Sequence, residues 1–365
     1  MNWSEAVREE LEGLVPYAPG LRASQVRERS GRDNILKLSS NEHPAGPVPA
    51  AVAGMSAVLG RLNRYPDGAC LALREKLAAR HRVSIEQVVV GNGSNELLRI
   101  IAQALLRPGD DVVFGWPSFI VYSMACQLFG ATEVKVPLKD DTYDLEAMAE
   151  AITERTRIVF LCNPNNPTGT AYGRAELEAF LAKVPDHVLV VADEAYFEFV
   201  TKSDYPDTMA YFDGERPLVV MRTFSKMYSL AGLRVGYALA PEPLALAMHK
   251  VREPFNVNTV AQVAAYYSLD DESEVRRRRA ENQEQKTYLY SAFDRLGVAY
   301  APSEANFVWI KTEKPVEVFD ALLDEGIIAR SFGIANALRL GVGTAEDTKV
   351  TIEAFERIAD RLGGI

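Results

Sequence analysis

The feature that most constrains this chain is a set of short apolar runs with no polar break, each followed by a helix-like pattern. Val188-Leu189-Val190-Val191-Ala192 is the clearest. A strand that is apolar at every position has no face to offer water, so it must be covered on both sides. Further strand candidates, many of them unbroken β-branched runs, lie at Gln87–Val90, Asp111–Phe114, Glu133–Val136, Arg157–Leu161, Leu218–Met221 and Val235–Ala240. Between them Glu96–Leu106 places Leu97, Ile100, Ile101 and Leu105 on one helical face. Strand–helix alternation of this kind predicts an α/β fold with a mostly parallel sheet of seven strands. After about Arg252 the pattern changes. Helices are expected at Ala261–Leu269, Glu272–Leu296, Pro315–Glu325 and Ala345–Leu362, with short strands near Phe307–Lys311 and Leu338–Val342. The expected division is a large domain over residues 30–252 and a smaller α+β domain from residues 1–29 and 253–365. The run Arg276–Arg279, flanked by Glu272, Glu274 and Glu281, reads as a solvated helix face.

Bulk properties exclude several classes of function. The 365 residues are 48% hydrophobic and 25% charged, and the net charge is −10. That balance argues against a general nucleic-acid binder. Cys70, Cys126 and Cys162 are too few and too scattered for a disulfide framework, and they fit a reducing compartment. His43, His81, His187 and His249 are far apart and no HExxH occurs, so no metal site is expected. The acidic, polar start and the lack of a long apolar run predict neither a signal peptide nor a membrane helix, and place the chain in the cytoplasm.

The chemistry is concentrated at the ends of the predicted strands. Arg222-Thr223-Phe224-Ser225-Lys226 is followed by Leu230-Ala231-Gly232-Leu233-Arg234. Two hydroxyls and an arginine suit a phosphate dianion, and the lysine between them would sit beside the phosphate-bearing molecule. An amine in that place points to pyridoxal 5′-phosphate held as a lysine Schiff base. Gly91-Asn92-Gly93-Ser94-Asn95-Glu96 turns from a strand into a helix, whose first amides form an anion site. Asn163-Pro164-Asn165-Asn166-Pro167-Thr168-Gly169 follows another strand, where α/β proteins bind ligands. Asp193 ends the most apolar run. A carboxylate there needs a partner, either a helix N-terminus or a protonated pyridine nitrogen.

Taken in order, the glycine turn, the Asn-Pro turn, the strand-end Asp and the Ser-Lys pair resemble fold-type I pyridoxal-phosphate enzymes, the aspartate aminotransferase superfamily. The resemblance spans nearly the whole chain and implies that fold. It implies Lys226 as the Schiff-base lysine, Asp193 as the pyridinium partner, and Asn166 and Tyr196 as ligands of the ring oxygen. Thr223, Ser225 and Arg234, with the amides of Ser94 and Asn95, match phosphate ligands, and Phe119 matches the stacked aromatic ring. Tyr65 matches a tyrosine that reaches the phosphate of a neighbouring subunit, which implies a homodimer with shared sites.

The subfamily it is most similar to is the histidinol-phosphate aminotransferases. That likeness rests on Pro16-Tyr17-Ala18-Pro19-Gly20, Leu38-Ser39-Ser40-Asn41-Glu42, Tyr65-Pro66-Asp67, Pro254-Phe255-Asn256-Val257-Asn258 and Ala305-Asn306-Phe307-Val308. It implies Tyr17, Asn41, Arg330 and Arg339 at the substrate, with the two arginines on its phosphate. The implied reaction is ping-pong transamination of L-histidinol phosphate with a 2-oxo acid, 2-oxoglutarate, in histidine biosynthesis. The alternatives are an aromatic amino-acid aminotransferase acting on phenylalanine or tyrosine, and threonine-phosphate decarboxylase. A regulator built on the same fold would carry an added N-terminal DNA-binding domain, and few residues precede the first motifs. His43-Pro44-Ala45-Gly46 departs from the usual Asn-Pro-Leu-Gly near the substrate entrance, and an exposed loop histidine is the ordinary reading of His43.

Overall fold

The apolar runs become neighbouring strands. The computed structural model describes residues 6–16, 20–333 and 336–365. A short strand β1 (Leu36–Lys37) precedes β2 (Val88–Gly91), β3 (Asp111–Trp116), β4 (Thr132–Pro137), β5 (Thr156–Cys162), β6 (Leu189–Asp193), β7 (Leu218–Thr223) and β8 (Gly236–Leu239). The last seven form one sheet in the order β2-β8-β7-β6-β5-β3-β4. Strands β4, β3, β5, β6 and β7 run parallel, and β8 is antiparallel to both of its neighbours. Every residue of β2, β6, β7 and β8 is buried. The pleat divides the apolar side chains between two layers. Val89 packs with Leu97, Ile101 and Phe160 on one face, while Val88 and Val90 pack with Leu73, Leu77 and Phe224 on the other.

This topology decides where a site can form. The carboxyl ends of β3, β5, β6 and β7 share one edge of the sheet. Because β8 is reversed, its beginning lies at that edge, with Arg234 just before it. Thr223 pairs with Gly236, and Gly236 with Gly91, so three strand ends meet at one level. A Cβ on Gly236 would come within 2.8 Å of the Ser94 amide nitrogen, so only glycine lets the turn after β2 approach.

Beyond residue 252 the chain builds a second sheet from β9 (Ala299–Ala301), β10 (Phe307–Lys311), β12 (Arg330–Ser331) and β13 (Ala337–Gly341), in the order β12-β13-β10-β9 and antiparallel throughout. A further strand, β11 (Ile327–Ile328), pairs in parallel with β1. Strands β1, β9, β11 and β12 are too short to show a period in sequence. The helices Glu272–Leu296 and Ala345–Leu362 have the bounds read from the sequence, and Gly297 and Gly363 end them with positive φ. No helix among the described residues is long and apolar enough to cross a membrane.

The arginine run departs from its expectation at Arg278 and, less fully, at Arg279, which is half-buried and donates to the Glu198 carbonyl. Arg276 and Arg277 are solvated, but Arg278 is 3% exposed and donates to the carbonyls of Met227 and Gly46 and to Ser229. Four successive helical residues point in four directions, and the one facing inward binds the loop that follows Lys226.

A buried ion pair ties β6 to β7. Glu194 Oε2 accepts from Arg222 Nε at 3.0 Å and Nη2 at 2.8 Å, while Glu194 Oε1 accepts from the Thr208 amide. The guanidinium also reaches Asp207 and lies 3.5 Å over the Phe197 ring. Removing one partner strands the other charge in the core, so Glu194→Ala should lower stability by about 3 kcal/mol. Urea unfolding followed by tryptophan fluorescence measures this, and an unchanged midpoint would contradict it.

Candidate active site

One cavity of about 570 Å³ lies at the shared strand edge, beneath the second sheet. Its lining gathers most of the residues singled out in the sequence. Ser94 and Asn95 open the helix Ser94–Leu105, Phe119 follows β3, and Asn166 follows β5. Asp193 ends β6 and Tyr196 follows it, Thr223 ends β7, and Ser225, Lys226 and Arg234 lie in the link from β7 to β8. Asn41, Arg330 and Arg339 enter from the second sheet and its β1 segment. Two expected residues are not among them. Tyr65 is 82% exposed and stacks on Phe255 at 4.6 Å, outside this cavity. Tyr17 lies outside the described residues.

Lys226 is the cationic centre. Its Nζ donates to the Ser40 carbonyl at 3.0 Å. Burial, then the positive field of Arg339, pull its pKa down to about 7. At neutral pH a large share of the amine is therefore unprotonated and nucleophilic. Opposite it, Asp193 is 2% exposed, and burial pushes its carboxyl up to about 6. Its Oδ2 accepts from the Tyr122 hydroxyl at 2.8 Å, and its Oδ1 is buried with no hydrogen-bond partner. Tyr196 receives the Asn41 side-chain amide at 2.9 Å. Arg339 donates to the Asn166 side-chain oxygen and, at 2.6 Å, to the Ser39 carbonyl.

Pyridoxal 5′-phosphate can be tested against these atoms. The orphaned Asp193 Oδ1 calls for a cationic N–H donor, which a protonated pyridine nitrogen supplies. The other end of the cavity is a dianion cradle. Gly93 has φ +80°, and a Cβ there would meet the Arg234 guanidinium at 2.6 Å. Thr223 and Ser225 bring buried hydroxyls to the same place, with the helix N-terminus at Ser94 facing them. The residues present fit the group.

Sequence reasoning missed several contributors. Tyr122, three residues after Phe119, carries no signal of its own in the sequence. The carbonyls of Ser39 and Ser40 carry no residue signature at all. Cys162, buried at the end of β5 beside Asp193 in the ladder, also lines the cavity. His43 is neither exposed nor in this cavity. It is half-buried, 6.2 Å from Phe199 between ring centres, and lines a separate cavity with Arg277 and Arg278. Burial and the Arg278 charge lower its pKa to about 4.

Residues 33–355 match the family described as aminotransferase class I and II. A histidinol-phosphate aminotransferase of Moorella thermoacetica is 45% identical over 96% of this chain and 92% of its own. Histidinol-phosphate aminotransferase 2 of Carboxydothermus hydrogenoformans is 48% identical over 93% of this chain and 95% of its own. The crystal structure of histidinol-phosphate aminotransferase from Sinorhizobium meliloti in complex with pyridoxal-5′-phosphate superposes with a TM-score of 0.89 at 25% identity, covering 98% of each chain.

The lysine makes a prediction about the cofactor-free chain. Its folded pKa of about 7 lies below the 10.5 of a free lysine. Between those values the unfolded chain holds a proton that the folded chain lacks, so folding is penalised increasingly as pH falls towards 7. Lys226→Met should therefore raise the apo-protein's melting temperature at pH 7, by a gain on the order of a few kcal/mol, and the gain should vanish by about pH 10.5. Calorimetry across that range checks both, and a gain that does not vary with pH would refute the cause given.

Proposed function

The chain belongs to the class I and II aminotransferases, and on that premise we propose that it transfers the amino group of L-histidinol phosphate to 2-oxoglutarate with pyridoxal 5′-phosphate as cofactor. The observation that carries the substrate is a pair of arginines. Arg330 of β12 and Arg339 of β13 stand directly opposite each other in an antiparallel ladder, and both line the cavity. Two guanidiniums on neighbouring strands of one cavity wall present a positive field that attracts an anion. A phosphate or a carboxylate suits the planar fork of either arginine, so the same pair serves the phosphate of the donor and the carboxylate of the 2-oxo acid.

The site residues divide the remaining work. When bound, the cofactor supplies an electron-withdrawing ring that accepts the electron pair left at the substrate's amine-bearing carbon. Asp193 would hold the proton on the ring nitrogen. Asn166 and Tyr196 would bind the ring oxygen, and Phe119 would cover one ring face. Ser94, Asn95, Thr223, Ser225 and Arg234 would hold the phosphate. The amine of Lys226, neutral near pH 7, would take the proton from the amine-bearing carbon and later return it. Asn41 and Tyr17 would complete the substrate pocket. A neighbouring slot of about 360 Å³, with Trp116, Ile120, Met124 and Phe332 in its wall, has room for a flat ring. An imidazole and a phenyl ring fill such a slot alike, so discrimination falls to the anion. The division into a large domain (30–252) and a small one (1–29 and 253–365) would place Arg330 and Arg339 on the part that moves against the cofactor.

Tyr65 supports a homodimer with shared sites. A tyrosine this exposed beside Phe255, itself 45% exposed, with Leu62 at 51%, leaves an apolar surface for a second copy to cover. A biosynthetic enzyme of this composition would work in the cytoplasm.

Three outcomes test these readings. Lys226→Ala should abolish turnover. Histidinol phosphate should exceed phenylalanine and tyrosine in kcat/KM by ~100-fold or more, and Arg339→Ala should erase that preference. Comparable rates with the aromatic acids would favour the aromatic aminotransferase instead. Mixing inactive Lys226→Ala chains with Tyr65→Phe chains should yield hybrid dimers that regain one complete site. A monomer in solution scattering would contradict the shared site.

A further inference from the structure

The contacts of Tyr122 go beyond the roles assigned above. Its side chain is fully buried. Its hydroxyl donates to Asp193 Oδ2 at 2.8 Å. Its ring stacks on Phe160 of β5 at 4.6 Å and 10°. It also meets Phe119 edge-on at 5.8 Å and 90°. Tyr122 thus touches both the acid and the aromatic ring that flank the cofactor cavity, and it is fixed to the sheet by a third contact.

We propose that Tyr122 is a positioning residue. By donating to Oδ2 it fixes the carboxylate of Asp193 in its charged form and reserves Oδ1 for the ring nitrogen, while its edge sets the plane of Phe119. This rests on the cofactor reading of the site. The physical reason is the placement of Asp193. A buried carboxylate tends to take up a proton, and a protonated acid cannot hold a second proton on the ring nitrogen. A phenolic donor opposes that tendency without bringing in a competing charge. The other titratable groups facing Asp193 do not do the same. Cys162 on β5 is a thiol held protonated by burial and by the Asp193 charge, with a pKa pushed up to about 12. Tyr143 is likewise kept neutral by burial. Glu194 is engaged by Arg222, and Lys226 donates to Ser40.

The test is Tyr122→Phe, which removes one oxygen and keeps the ring, combined with Asp193→Asn in a double-mutant cycle. Pyridoxal 5′-phosphate is titrated into each cofactor-free protein and followed by absorbance. Tyr122→Phe should weaken binding by ~10-fold, lower kcat with little change in KM, and shift the pH dependence of the bound cofactor's absorbance. In the Asp193→Asn background the same change should have almost no further effect on affinity. A melting-temperature loss with unchanged cofactor affinity and an unchanged absorbance profile would mean that the hydroxyl only supports the core. Equal losses in both backgrounds would mean that it does not act through Asp193. Either result overturns the proposal. Should Asp193→Asn fail to bind any cofactor while Tyr122→Phe binds as wild type does, the cofactor reading stands and the role of Tyr122 falls.

Discussion

A carboxylate placed at the end of a strand that water cannot reach governs the rest of this architecture. Asp193 is where it is because β6 is apolar along its length and buried on both faces, so its last residue is carried into the interior. Burying a charge is costly without partners. Around Asp193 the chain supplies a hydrogen bond from Tyr122 and the amine of Lys226 across the cavity. The second carboxylate oxygen, Oδ1, is buried with no hydrogen-bond partner. Parallel topology brings the neighbouring strand ends to the same edge. The reversed β8 adds Arg234 from its beginning, Gly236 lets the Ser94 backbone approach, and Gly93 leaves room for the Arg234 guanidinium.

Much of this was legible in the sequence, for identifiable reasons. Runs such as Val188–Ala192 have one structural solution, and the seven candidates became the seven strands of the central sheet. The helix Glu272–Leu296 is long, capped by Asp271 and stopped by Gly297, so its bounds could be read directly. Residues at strand ends were legible as site candidates because α/β topology sends those ends to one place. What remained hidden depends on contacts that residue type does not encode. Strands of two residues have no period. Arg278 looks like its three neighbours until the helix is docked. His43 was read as a loop residue, and only the packing of Phe199 and Arg278 makes it half-buried. Tyr122 is far in sequence from the acid it binds.

The second sheet contributes the charges that the first lacks. The central sheet's edge offers one acid, one amine and a phosphate cradle, which is enough for a cofactor. On the proposed function, anion recognition would come from β12 and β13, where Arg330 and Arg339 pair across the ladder. The proposed cofactor and substrate residues thus lie on separate pieces of structure that meet at the cavity. Substitutions in the small sheet can alter which anion is accepted without touching the acid and amine that flank the ring.

Between the two sheets runs the segment Ser39-Ser40-Asn41, and each of its carbonyls takes a side chain from a different element. Arg339 binds the first, Lys226 the second and Asn306 the third. On the proposed function the outer two donors have no part in forming or breaking bonds, whereas the middle one would. Whenever the lysine amine leaves for its chemical task, the Ser40 carbonyl gives up its partner while its neighbours stay anchored. The backbone thereby carries a built-in reporter of where the amine is. An isotopically labelled Ser40 carbonyl has an infrared frequency set by whether that one hydrogen bond exists, so vibrational spectroscopy at a single main-chain oxygen could follow the lysine through a turnover without any probe attached to the cofactor or the substrate.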